Sequence, residues 1–188
     1  MVLEDQFSIQ RAADRLEIQH RVLQFGRSVD RKDFQALHEV FHPDAYADQG
    51  LFKGSPAEFI EFVSARHQTI DFSSHHVGNV FIEFASDDEA FVESYAFVWQ
   101  SVTPSASALA GVSGDDAPFE MIGENRYVDH FTRRDDRWRI QSRLVVPGSM
   151  MRVPSEGAAM QLKDGFAQYA RDERDPAEEL RTRLGLRA

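Results

Sequence analysis

The sequence predicts a single α+β domain in which three helices come first and long strands follow. Apolar residues recur at helical spacing over residues 7 to 69, whereas residues 73 to 146 alternate and are rich in β-branched and aromatic side chains. The length of 188 residues and a hydrophobic content of 42% suit one domain with a packed core. Because helices and strands are segregated along the chain, an α+β class is favoured over an alternating α/β class.

Three N-terminal helices are predicted from spacing and capping signals. The first covers residues 7–30, and its apolar stripe is made of Phe7, Ala12, Leu16, Ile18, Val22, Leu23 and Phe25. The second covers residues 33–41 and ends before Pro43, because the residue preceding a proline is pushed out of the helical region. The third covers residues 55–69, with Ser55 as its N-cap and a proline at the first helical position.

Four strands are predicted after the helices, over residues 73–84, 90–102, 119–133 and 137–146. The last two are joined by a short polar link that fits a hairpin. The segment between the second and third strands, residues 104–118, is rich in Ser, Ala, Gly and Asp and is predicted to be a mobile loop.

The domain is expected to occupy residues 1–146, because periodicity is lost beyond Pro147. Residues 147–188 are then a C-terminal extension that packs on the domain or on a neighbouring subunit. Within it, residues 176–184 are expected to form a short charged helix.

Composition excludes several function classes. The formal net charge of −10 argues against nucleic acid and anionic lipid as partners, since a phosphate-binding surface needs Lys and Arg. The absence of Cys excludes disulfides, thiolate metal sites and cysteine nucleophiles. No signal peptide and no apolar run of about 18–20 residues is visible, so the cytoplasm is the expected location.

The segment His38-Glu39-Val40-Phe41-His42 matches the H-E-x-x-H zinc signature. In that signature two histidines one helical turn apart bind the metal and the glutamate acts as general base. Here the predicted helix ends directly after His42, and a third ligand would have to come from residues 43–48 or from further away. We therefore expect a chance match and no metal site.

Asp30 and His75 are the candidate pair for acid–base chemistry. Asp30 ends the first helix, where a carboxylate faces the negative end of the helix dipole and gains nothing structurally. His75 and His76 open a strand, so their side chains point to opposite faces and only one of them enters a pocket. From the residues alone, a solvated Asp30 and a packed core histidine remain open as explanations.

Several short segments occur in an order that resembles the SnoaL-like branch of the nuclear-transport-factor-two-like superfamily. They are Ser28 to Asp33, Leu37 to Phe41, Pro43 to Ala45, Lys53-Gly54, Ser74 to Asn79, Arg126 to Asp129 and Trp138 to Ile140. The similarity extends over about residues 8 to 146 and is nearest to the scytalone dehydratase, hexachlorocyclohexane dehydrochlorinase and bile-acid dehydratase group. It implies a cone-shaped barrel of a strongly curved, mostly antiparallel sheet, with the three helices enclosing a pocket.

The resemblance also implies a set of site residues. Enzymes of this group use an Asp–His dyad, which corresponds here to Asp30 and His75 as catalytic residues. The implied substrate-binding residues are Tyr46, Arg143, Phe25, Tyr127 and Asn125. Two departures bear on the substrate: Phe25 stands where some members have Tyr, and the additional His of scytalone dehydratase has no counterpart.

Chemistry of this kind needs no metal and no organic cofactor. A histidine held by a carboxylate is a competent general base, so the dyad would support loss of water or halide, or isomerisation through the same enolate, on a small, apolar, cyclic substrate. Tyr46 or Arg143 would stabilise a developing oxyanion.

Two other functions stay open. The chain could be a non-catalytic binding module or accessory subunit resembling the β-subunit of ring-hydroxylating dioxygenases. Epoxide hydrolysis by an Asp–Arg–Asp arrangement could use Arg126 and Asp129, although a second Asp is not placed. The resemblance also implies a homodimer or homotrimer.

Overall fold

A computed structural model describes residues 6–110, 117–155 and 165–186 of the chain. Its helices are α1 (Ile9–Asp30), α2 (Phe34–Leu37), α3 (Pro56–Arg66), α4 (Pro104–Leu109) and α5 (Pro176–Arg183), and a 3-10 turn covers His67–Thr69. Its strands are β1 (Phe41–Asp48), β2 (Lys53–Gly54), β3 (Ser73–Phe84), β4 (Glu89–Val102), β5 (Phe119–Arg134) and β6 (Arg137–Pro154). The predicted α+β class is confirmed.

The six strands form one sheet in the order β2-β1-β6-β5-β4-β3. Every pair is antiparallel except β1 and β6, which run parallel. Register shifts in β1, β3, β5 and β6 bend the strands, as β-bulges do. The sheet is that of the expected cone, but it is not a closed barrel: β2 and β3 are its two edges.

Helix α1 packs against β3 and β6. Ile18, Val22, Phe25 and Val29 form its buried apolar stripe, at spacings of a helix face. The predicted stripe was partly wrong, since four of its members are exposed: Phe7, Ala12, Leu16 and Leu23. Helix α3 starts as predicted, with Ser55 and Glu58 in a reciprocal capping box.

The second predicted helix is only one turn long, and the chain is already in strand β1 at Phe41. Parallel pairing with β6 explains this, because the amide of Ile140 donates to the Val40 carbonyl and Phe41 pairs with Ile140. His38 follows α2, whereas His42 lies in β1, where its Nε2 is 3.0 Å from the Thr132 carbonyl oxygen. The two histidines of the H-E-x-x-H match therefore do not share a helix.

Two further segments differ from expectation or extend it. The predicted loop 104–118 begins with helix α4, whose first turn is capped by the Thr103 side chain. Residues 111–116, which belong to the segment predicted to be mobile, lie outside the described residues. Strand β6 continues to Pro154, beyond the predicted boundary at residue 146. None of the helices within the described ranges is long and apolar enough to cross a membrane.

Candidate functional site

Asp30 and His75 are brought into direct contact by the packing of α1 on β3. The His75 Nδ1 lies 2.6 Å from the Asp30 Oδ1, and the His75 backbone amide donates to Oδ2 at 2.7 Å. The Ser73 hydroxyl donates to Oδ1 at 2.8 Å. Both carboxylate oxygens are therefore held from one strand, which fixes the orientation of the imidazole ring.

The electrostatics of the pair favour an ionised Asp30. Burial on its own would raise the pKa of Asp30, but the hydrogen bond and the charge attraction of His75, together with the Ser73 hydroxyl, bring that pKa below its usual 3.8. A carboxylate at this position makes Nδ1 the donor, so the proton of a neutral imidazole resides on Nδ1. The Nε2 atom is then an unprotonated base, and no residue in the described ranges hydrogen-bonds it.

Gly26 allows α1 to approach β3 closely enough for this contact. A Cβ atom at Gly26 would lie 3.0 Å from the His75 Cβ, which is tighter than an ordinary contact between carbon atoms. The sequence contains no signal for this role, because it depends on a strand 49 residues further along the chain.

His75 lines a cavity of about 510 Å³ between the helices and the sheet. The size suits a small organic molecule, and most of the wall is apolar, as in typical ligand sites. The apolar lining includes Phe25, Val29, Phe59, Phe62, Val63, Val98, Val102, Phe119, Met121, Tyr127, Val145, Met150 and Met151. Three of the expected binding residues, Phe25, Tyr127 and Asn125, are among the lining residues.

Tyr46 is not placed in this cavity. Ala45 and Ala47 are buried, so alternation along β1 turns Tyr46 to the opposite face, where it is 53% exposed beside a separate groove. The expectation of a pocket role for Tyr46 is therefore corrected.

Arg143 is fully buried but does not touch the cavity. Its guanidinium makes two hydrogen bonds of 2.7 Å to Asp129 and lies 4.2 Å from the ring centroid of Phe25 and 4.5 Å from that of Tyr127. It therefore supports two aromatic rings of the wall rather than contacting the cavity itself. Asp129 is paired with Arg143, whereas Arg126 is half-exposed and pairs with Glu93. Arg126 and Asp129 therefore do not form the arrangement suggested for epoxide hydrolysis.

Tyr127 lies in the cavity wall next to Phe25 and carries a phenol hydroxyl. The two rings are in edge contact with centroids 5.7 Å apart. Burial raises the pKa of Tyr127 to about 12, so its phenol keeps its proton. Its hydroxyl makes no hydrogen bond with the described part of the chain, which leaves it free to donate to a bound molecule.

A buried polar cluster at the other side of the dyad was not foreseen. Arg66, His67 and Gln100 line the cavity, and Arg171 of the C-terminal segment reaches in to donate to the His67 Nδ1 at 2.8 Å. Burial, and then the positive charges of Arg171 and Arg66, lower the pKa of His67 to about 2. No local pattern marks these residues, because they come from three distant parts of the chain.

The C-terminal segment also contacts the dyad from behind. Arg171 donates to the carbonyl oxygens of Val29 and Asp30, both at 2.7 Å. The Tyr169 hydroxyl donates to the Ser73 carbonyl at 3.0 Å. The last turn of α1 is thereby held against the start of β3.

Comparison with known proteins supports the same fold. The model of the SnoaL-like domain family matches residues 10–144. Uncharacterised proteins of Mycobacterium tuberculosis and Mycobacterium bovis are 29% identical over 140 residues, which cover 73% of this chain and 87% of theirs.

Three solved structures have a fold similar to that of this chain. A hexachlorocyclohexane dehydrochlorinase from Novosphingobium barchaimii gives a TM-score of 0.65 at 16% identity, covering 81% of this chain and 97% of that one. A candidate scytalone dehydratase from Novosphingobium aromaticivorans gives 0.61 at 17%, covering 79% and 97%. A candidate aromatic ring hydroxylase from the same species gives 0.63 at 19%, covering 76% and 94%. At these identities the likeness shows the fold.

Proposed function

The chain belongs to the SnoaL-like domain family, and from that premise we propose that it is a cofactor-independent lyase or isomerase whose general base is the Asp30–His75 pair. One observation carries the proposal: the His75 Nδ1 and the Asp30 Oδ1 are 2.6 Å apart in the wall of an apolar cavity of about 510 Å³. The names of the structurally similar dehydrochlorinase and dehydratase agree with it.

In the proposed reaction the His75 Nε2 removes a proton from a carbon atom of a small, largely apolar cyclic substrate. The electron pair of the broken C–H bond forms a C=C bond while the neighbouring C–O or C–halide bond breaks. In an isomerisation, the electron pair of the broken C–H bond moves instead onto a neighbouring carbonyl group to form an enolate, which is then reprotonated at a different carbon. Asp30 stabilises the imidazolium that forms, because its lowered pKa keeps it a negatively charged carboxylate.

Tyr127 takes the role of hydrogen-bond donor in this proposal. Its protonated hydroxyl would donate to a developing oxyanion or protonate a leaving hydroxide. Arg143, locked to Asp129, would act through the orientation of the Tyr127 ring.

The test uses an activated probe of general base catalysis, 5-nitrobenzisoxazole, whose ring opens by elimination when a base removes its carbon-bound proton. His75→Ala should lower the rate by about 10²–10⁴-fold, the usual contribution of a positioned base. His76→Ala is the matched control, because His76 is the neighbouring exposed histidine on the other face of β3. A His75→Ala protein that turns over the probe at the wild-type rate refutes the proposal.

A second candidate function is that of an accessory subunit, and exposed aromatic side chains on the outer face of the sheet favour it. Phe81, Phe91, Phe97 and Trp99 are each at least 41% exposed there, and exposed apolar patches often mark surfaces that bind another protein. Copies of the same chain, as a homodimer or homotrimer, would also cover this face. Sedimentation of the purified chain separates the two: a stable homo-oligomer supports the enzyme, whereas a monomer that co-purifies with a larger iron–sulfur protein supports the accessory subunit.

A further inference from the structure

Arg66 is a buried cation in the wall of the cavity. It is the last residue of α3 and is 7% exposed. Its Nη1 donates to the Gln100 Oε1 at 3.1 Å, and no carboxylate of the described residues lies within 4.0 Å of its guanidinium. Taking a guanidinium out of water without a counter-charge is costly, so buried arginines are ordinarily paired.

His67 does not relieve this shortage of acceptors. Arg171 donates to the His67 Nδ1, so the single proton of the neutral ring resides on Nε2. That Nε2 is the atom 3.4 Å from the Arg66 Nη1, and a protonated nitrogen cannot accept a hydrogen bond. Arg171 adds a second positive charge nearby, which makes an anion at Arg66 more favourable still.

Two polar atoms of cavity-lining residues are buried without a hydrogen-bond partner among the residues that the structure describes. They are the Arg66 Nε and the Ser107 Oγ, and both residues line the cavity. Helix α4, which carries Ser107, packs against α3 and against the 3-10 turn that follows Arg66. Buried polar atoms are nearly always hydrogen-bonded in native proteins, so two atoms without a partner beside an uncompensated guanidinium need a physical explanation, such as a bound water or ion.

We propose that the part of the cavity lined by Arg66, Gln100 and Ser107 binds a carboxylate of the substrate. The guanidinium matches a carboxylate in shape as well as charge, because its planar fork can donate two parallel hydrogen bonds. The substrate would then be a small ring compound with one carboxylate rather than a wholly apolar molecule. The proposal rests on the proposed function, since it describes the substrate of that same cavity.

A chain of hydrogen bonds connects this subsite to the dyad. Gln100, which accepts from Arg66, donates through Nε2 to the Ser73 hydroxyl at 3.1 Å, and that hydroxyl donates to Asp30. Only Gln100 and Ser73 therefore stand between Arg66 and Asp30. A substrate anchored at Arg66 would lie in the same cavity as the His75 ring.

The test compares two probes of the same shape that differ in charge, 2-naphthoate and its neutral amide, 2-naphthamide. Their dissociation constants are measured by isothermal titration calorimetry against the wild type, Arg66→Met and Arg137→Met. Arg137 is the control because it is exposed at the start of β6 and does not line the cavity. We expect the wild type and Arg137→Met to prefer the carboxylate by about ten- to a hundredfold.

Arg66→Met should abolish that preference and bind 2-naphthamide as the wild type does. Equal affinity of the wild type for both probes, failure of the wild type to bind either, or an unchanged preference in Arg66→Met overturns the proposal. The comparison on the wild type stands even if Arg66→Met fails to fold. Binding to His75→Ala separates this proposal from the proposed function: the carboxylate preference should persist there while turnover of 5-nitrobenzisoxazole is lost.

Discussion

Replacement of His67 by Gln should flatten the dependence of stability on pH. His67 is 1% exposed and faces Arg171 and Arg66, which together with burial bring its pKa to about 2 in the folded chain. In the unfolded chain a histidine has a pKa of about 6.5. Between these two values the unfolded state binds one proton that the folded state does not.

The sign and size of the effect follow from this difference. Stability is fully present above pH 6.5 and is lost as the pH falls, by about 1.4 kcal/mol per pH unit for one proton. At pH 4.5 the wild type should therefore have lost about 3 kcal/mol through His67 alone. His67→Gln has no such proton to bind, so its loss over the same range should be smaller by that amount.

The assay is urea unfolding at pH 7.5, 6.5, 5.5 and 4.5, with the free energy of unfolding extrapolated to water at each pH. His76→Gln is the control, because it removes an exposed histidine and should follow the wild-type curve. Parallel curves for the wild type and His67→Gln would refute the reasoning, since His67 would then bind its proton equally in both states.

Two further predictions concern the support of the dyad and the cavity wall. Gly26→Ala should push the His75 ring out of place and lower the rate of probe elimination about tenfold. Gly78→Ala is the control and should leave the rate unchanged, because Gly78 has open space around it. Equal rates in the two variants would contradict the role of the close approach between α1 and β3. Asp129→Leu should cost about 3–5 kcal/mol in urea unfolding, because it leaves the Arg143 guanidinium buried without its partner. Adding Arg143→Met to Asp129→Leu should restore most of that loss, and a double variant as unstable as the single one would show that packing, not the unpaired charge, is responsible.

Much of the fold is predictable from local signals, and the exceptions have physical reasons. Helices α1 and α3 and strands β3, β4 and β5 were predicted within about two or three residues of their bounds, since caps and alternation are local features. Strand β1 was missed because its pairing with β6 is decided almost 100 residues further along the chain. The stripe of α1 was misjudged at Leu16 and Leu23, where helical spacing alone did not identify the face that meets the sheet.

The candidate site shows the same division. Asp30 and His75 were identified from their positions in an ordered set of family segments, and the close contact between them requires the tertiary packing of α1 on β3. Tyr46 was misplaced because the register of the unpredicted strand β1 sets the direction of its side chain. Arg66 could not have been found, because a lone arginine at the end of a helix is ordinarily solvated and only the fold shows it buried.

The central claim is that Asp30 and His75 act as one base, and a double-mutant cycle on the elimination rate tests it most directly. The rates of 5-nitrobenzisoxazole opening are measured for Asp30→Asn, His75→Ala and the double variant. Residues that act as a unit are strongly non-additive, so the double variant should be no slower than His75→Ala alone. Losses that multiply, so that Asp30→Asn slows the His75→Ala protein as much as it slows the wild type, would contradict the account.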